Sequence, residues 1–147
     1  MRVYLSSPRN QLQAAAVEGM DVLVSFTCWS DFLRSYVPSF RRLLLDSGAY
    51  SVYNSGKSVD VLEYIDWVQK FEGIDAFAGL DDISGDYKKS LKNYKHGGFP
   101  TFHDTDPPGL LADLIDIAKE RDGWIGIGLT DPRHKKDRFL KETIGQI

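Results

Sequence analysis

The chain has 147 residues, 42% hydrophobic and 27% charged, which suits one soluble domain with a core and argues against general disorder. A net charge of −3 and a pI near 5.6 argue against a whole-surface nucleic-acid clamp, while leaving room for a local basic patch. One cysteine, Cys28, excludes an internal disulfide and a cysteine-rich zinc site.

The N-terminus has no signal-peptide core, and no run approaches the ~20 apolar residues of a membrane span. The expectation is a cytoplasmic protein with no membrane partner and Cys28 buried or half-buried. Short β-type runs alternate with helical patterns. Arg2–Ser7 reads as the first strand, with Ser7 as a candidate N-cap and Pro8 at the helix start. A helix over 9–20 follows, with Gly19 as its C-cap, and then a β-branched strand at Asp21–Phe26. A short helix before Pro38 leads to a strand at Phe40–Ser47.

Over 58–73, Val61, Leu62, Ile65, Val68 and Phe71 fall on one helical stripe, and Asp60 with Glu63 resembles a capping pair. Ile74–Asp82 reads as strand four, 85–98 as an amphipathic helix rich in lysine, and Phe99–Asp104 as strand five. The segment 106–123 opens on prolines and turns Leu111, Leu114, Ile115 and Ala118 inward. Trp124–Leu129 is strand six, and a basic helix closes the chain.

Six β-α pairs in strict alternation imply parallel strands joined by right-handed crossovers. The fold class expected is an incomplete (β/α)₈ TIM-like barrel of about six units, with an open doubly wound parallel sheet as the alternative. A full barrel needs about 200–250 residues, so two units are unaccounted for. No linker is visible, and residues 1–147 are expected to form one α/β domain.

The polar residues gather at strand ends. Strand three ends in Asp46-Ser47-Gly48, strand four in Asp81-Asp82, strand five in His103-Asp104, and strand six is spaced by Gly126 and Gly128. In parallel α/β folds those C-terminal ends form one rim, where sites are built. Asp46 follows three leucines, where a buried carboxylate is costly without a purpose or partner. Adjacent strand residues face opposite ways, so one of Asp81 and Asp82 enters the mouth, and strand continuity favours Asp81. Gly126 and Gly128 leave room over a flat ring, or serve plain packing. Tyr50 and Tyr53 cap the core or stack on a base, the core being favoured. Arg133, Lys135 and Lys136 sit in a basic cluster that is a solvated helix face or a weak phosphate site. Walker, dinucleotide and G-x-S-x-G motifs are absent.

The segment "LLLDSGAYSVYNSGKSVDVLEYIDWV", followed in order by "FAGLDDI", "FPTFHD" and "GWIGIGL", resembles the tRNA-guanine transglycosylase-like barrels, closest to the short phage-type members linked to deazapurine modification. The resemblance implies base exchange at a ribosyl or deoxyribosyl carbon, without metal or cofactor. It implies Asp46 as the acid/base aspartate, Asp81 or Asp82 on the purine's amino and ring N–H edge, and His103 lining the base pocket. Ser47, Gly48, Gly126 and Gly128 would stand beside the base. The partners implied are guanine or a 7-deazaguanine, with tRNA or DNA as the nucleic acid that carries it.

The family's nucleophilic aspartate comes from a strand later than the sixth, so the chain is expected to be incomplete, inactive or half of a composite barrel. Exposed sheet edges would favour a homodimer. Two other classes stay open: a metal-assisted hydrolase or lyase using Asp46, Asp81, His103 and Asp104 as ligands, and a non-catalytic degenerate barrel.

Overall fold

A computed structural model describes residues 4–6, 8–121, 123–128 and 143. The chain is a mixed α/β protein with six short parallel strands. β1 (Leu5–Ser6), β2 (Asp21–Ser25), β3 (Arg42–Asp46) and β4 (Ala76–Phe77) form one sheet in that order, and β5 (Thr101–His103) pairs with β6 (Gly126–Gly128). A parallel bridge between Ala78 and Phe99 joins β4's continuation to β5's approach. The Gly79 N–H donates to the Phe99 carbonyl at 2.8 Å, and the Phe99 N–H to Phe77 at 2.9 Å. The pairing therefore follows chain order from β1 to β6, and the described strands contain no reversal of order.

Helices α1 (Gln11–Ala16), α2 (Asp31–Tyr36), α3 (Ala49–Asn54), α4 (Val61–Gln69), α5 (Tyr87–Tyr94) and α6 (Leu110–Lys119) fill the connections. Side chains alternate along each strand, and this period of two sorts the interior. One face of β2 and β3 sends Val22, Val24 and Leu43 against Leu33 of α2. Leu45 packs with Tyr64, Ile65 and Val68 of α4. Phe102 of β5 packs with Tyr94, Leu110, Leu111 and Leu114 from α5 and α6. The opposite face carries Leu23, Leu44, Ala78, Thr101 and Gly126, which line one common cavity. Tyr4, entering β1, meets Trp124, entering β6, edge to face at 6.2 Å.

Several expectations need correction. α1 begins at Gln11 and is capped by the Asn10 side chain, which accepts from the Gln13 N–H, so Ser7 is not its N-cap. The α4 stripe is right in period but not in membership. Leu62 is 59% exposed and Tyr64 takes the buried place, its hydroxyl donating to the Ala78 carbonyl at 2.8 Å. Asp60 does cap α4, accepting from the Leu62 and Glu63 N–H groups. In α6, Leu110 is buried with Leu111, Leu114 and Ala118, while Ile115 is only partly buried. Cys28 is exposed, in a single 3₁₀ turn that leaves β2. Tyr50 and Tyr53 are more than half exposed and do not cap the core; Ala49 is the buried residue of α3. Of strand one, Arg2, Val3 and Ser7 lie outside the described residues, as does nearly all of the closing basic helix.

Candidate functional site

The site begins with the alternation in "RLLLD". Leu43 and Leu45 face the helices, so Leu44 and Asp46 turn to the cavity side. The chain must then bend sharply into α3. Gly48 makes the bend with φ of +72°, a left-handed conformation that side-chain-bearing residues avoid. A Cβ there would also meet Thr27 Cγ2 at 2.7 Å and Ser25 Oγ at 2.8 Å. The bend aims the Gly48 N–H at Asp46 Oδ2, 3.0 Å away. Ser25, the register partner of Asp46 on β2, adds a side-chain hydrogen bond. Burial nonetheless pushes the Asp46 carboxyl above its ordinary value. The Gly48 and Ser25 bonds oppose that rise, and the nearby charge of Asp81 adds to it.

Ser47 is buried, with its hydroxyl donating to Asp81 Oδ1 at 2.9 Å and accepting from the Ala49 N–H at 3.3 Å. The second oxygen of Asp81 lies 2.9 Å from His103 Nε2. Asp106 completes the cluster. Its Oδ2 accepts the His103 backbone N–H at 2.8 Å and stands 3.5 Å from Nδ1. Side-chain exposure is 8% for His103, 7% for Asp81 and 9% for Asp106. Burial alone would favour neutral imidazole, but Asp106 and Asp81 outweigh it and hold the His103 pKa up at about 9.

β6 explains its glycines. Gly126 pairs with Thr101 and Gly128 with His103. A Cβ on Gly126 would come within 2.8 Å of Thr101 Oγ1, and one on Gly128 within 2.4 Å of His103 Cδ2. The flat ring that Gly128 accommodates is therefore the protein's own imidazole.

These groups surround one cavity of about 400 Å³, lined by residues from β2 through β6, with Tyr50 at its rim. Asp46, Ser47, Asp81, His103, Gly126 and Gly128 all line it, whereas Gly48, expected beside the base, does not and acts through its N–H on Asp46. Asp82 points elsewhere; strand four was expected to run to it, but β4 ends at Phe77 and Asp82 lies in the loop that follows. It pairs with Lys89 at 2.7 Å, accepts from the Ser84 N–H and hydroxyl, and lines a neighbouring groove. Burial would raise its carboxyl, but Lys89 and Ser84 hold it below its ordinary value. Asp104 does not line the cavity. Arg133, Lys135 and Lys136 lie outside the described residues. Among the described residues no three histidine, cysteine or carboxylate side chains are grouped to hold a metal ion. No described helix is long and apolar enough to cross a membrane.

Two contributors escaped the sequence reading. Ser25 looked like an ordinary strand residue. Asp106 read as the opening of the proline-led helix, although its spacing of three from His103 was the available signal. No family model matches this chain, and no curated protein or solved structure matches it either.

Proposed function

We propose that the chain is a base-binding protein of the transglycosylase type, whose cavity receives guanine or a 7-deazaguanine at the mouth of an incomplete β/α barrel. The observation that carries this reading is the convergence of Asp46, Asp81 and His103 on one cavity, from strands far apart in sequence. About 400 Å³ falls in the range of about 300–1,000 Å³ usual for small-ligand pockets. Sequential parallel pairing from β1 to β6, together with the Tyr4–Trp124 contact between the segments entering β1 and β6, supports a barrel-like curl.

The division of labour follows from who is already occupied. Both Asp81 oxygens have partners within the protein, Ser47 and His103. Asp46 faces the cavity, and its raised proton affinity suits a group that gives a proton to a departing base and takes one from an incoming base. A carboxylate acceptor also matches the adjacent amino and ring N–H donors of a guanine edge. Tyr50 at the rim offers a face on which a base or its neighbour stacks. No described residue is assigned as nucleophile at the sugar carbon, so this reading gives the chain base recognition and proton transfer.

The test is calorimetry with 7-deazaguanine and its soluble 7-aminomethyl derivative, in chelator. Saturable binding that weakens at least tenfold in Asp46→Ala, with an unchanged circular dichroism spectrum, is the expected result. Absence of binding to the folded wild-type protein would remove this reading.

A further inference from the structure

We propose that Asp106 is a positioning residue: it fixes the His103 imidazole as a donor from both ring nitrogens, and through it anchors Asp81 as a permanently partnered carboxylate. The inference rests on the reading above only for the identity of the cavity's ligand.

The geometry is a continuous chain. Asp106 Oδ2 accepts the His103 backbone N–H at 2.8 Å, which ties the loop after β5 to the residue it must orient. The same oxygen faces Nδ1 at 3.5 Å, a distance too long for a strong hydrogen bond but well within reach of a charge. The ring is thereby turned so that Nε2 meets Asp81 at a full hydrogen-bond distance of 2.9 Å. Asp81 passes the constraint to the Ser47 hydroxyl, and Ser47 to the first N–H of α3. Three side chains, His103, Asp81 and Ser47, are thus linked in series to one carboxylate at the end.

Burial gives the chain its electrostatic sense. Two carboxylates less than 10% exposed flank one imidazole. Buried charges of one sign are costly unless an opposite charge sits between them. The other walls add no cation among the described residues: Gly128 packs on the ring, and the Tyr94 phenol, itself raised by burial and by Asp81 and Asp106, lies within their field. Asp46 feels the charge of Asp81 as well. The carboxylate of Asp81 is thus committed to the protein, and Asp46 is left as the cavity group that exchanges a proton with a ligand.

The experiment is a pH titration of the ¹⁵N-labelled imidazoles by NMR, with His103 identified through His103→Gln. In the free wild-type protein the His103 ring is expected to stay doubly protonated well above neutrality, titrating near 9. In Asp106→Asn the midpoint falls by at least about one pH unit, the loss expected when an adjacent opposite charge is removed. Above that midpoint the neutral ring is expected as the Nε2–H tautomer that Asp81 accepts, while circular dichroism is unchanged. A wild-type His103 that is neutral at pH 7.5 overturns the proposal without any variant, and so does an Asp106→Asn midpoint equal to wild type. Base binding is read separately by calorimetry. A protein with a high His103 midpoint and no base affinity keeps the positioning role and loses the functional reading.

Discussion

Gly128→Ala probes the packing on which the site depends. Gly128 is the register partner of His103, and an added methyl would lie 2.4 Å from Cδ2 and 2.7 Å from Nε2 of the ring. Both distances are well inside van der Waals contact, and although the ring borders the cavity, moving into it would pull the ring off the carboxylates that hold it. It is 93% buried, and Asp81 and Asp106 hold its two nitrogens. Overpacking a buried contact costs about 1–3 kcal/mol. Displacing Nε2 from a buried carboxylate adds to that cost, so the expected loss is in the upper part of the range. For a domain of this size each kcal/mol lowers Tm by about 2–4 °C. Urea denaturation of the single variant, of His103→Ala and of the double variant gives the coupling between the two positions. The cost of the methyl is expected to shrink by more than about 1 kcal/mol once the ring is gone. Gly109→Ala is the control, since a Cβ there meets nothing within 4 Å, and it should be neutral or slightly stabilising. A Gly128→Ala protein within about 0.5 kcal/mol of wild type, or an equal cost in the His103→Ala background, would refute the packing argument.

Asp46→Asn should raise stability at pH 7, because burial penalises the charged carboxylate in the folded state. A folded-state value above the unfolded one means that stability is full below about pH 3.9 and is lost as pH rises through the folded value. The advantage of Asn should therefore close at low pH, as chemical denaturation across pH would reveal. A variant less stable than wild type at pH 7 would contradict this. Tyr64→Phe removes the donor to the Ala78 carbonyl in a fully buried setting, and should cost about 1–2 kcal/mol in urea titration. Leu62→Lys should fall within about 0.5 kcal/mol of wild type, because Leu62 is solvent-exposed despite its apolar character.

Much of the site was legible because it depends on short-range rules. Period-two alternation puts Asp46 opposite the face of Leu43 and Leu45. Asp81 does enter the cavity and Asp82 does not, but both lie beyond β4, which ends at Phe77, so hydrogen bonds in the loop and not strand alternation divide them. Alternating β and α patterns give six parallel strands in order. What was not legible depends on partners distant in sequence. Tyr64 displaces Leu62 from the core because a backbone carbonyl at Ala78 is there to accept its hydroxyl, and nothing within α4 reveals that acceptor. The segment Ala49–Asn54, to which the sequence pattern assigned no element, forms α3, since Gly48 in a left-handed conformation redirects the chain and Ala49 finds burial. Of the two readings of Gly126 and Gly128, room over a ligand or plain packing, the structure favours packing, since Thr101 and His103 occupy that space. Asp106 was hidden by the prolines after it, which made it look like the start of a helix.

The most direct trial is amide NMR mapping of the soluble 7-aminomethyl-7-deazaguanine onto the ¹⁵N-labelled chain. Saturable shifts concentrated at Gly48, Ala49, Asp81, His103 and Gly128, and lost in Asp46→Ala, are the predicted result. An unchanged spectrum at saturating base, or shifts confined to residues away from this cavity, would contradict it.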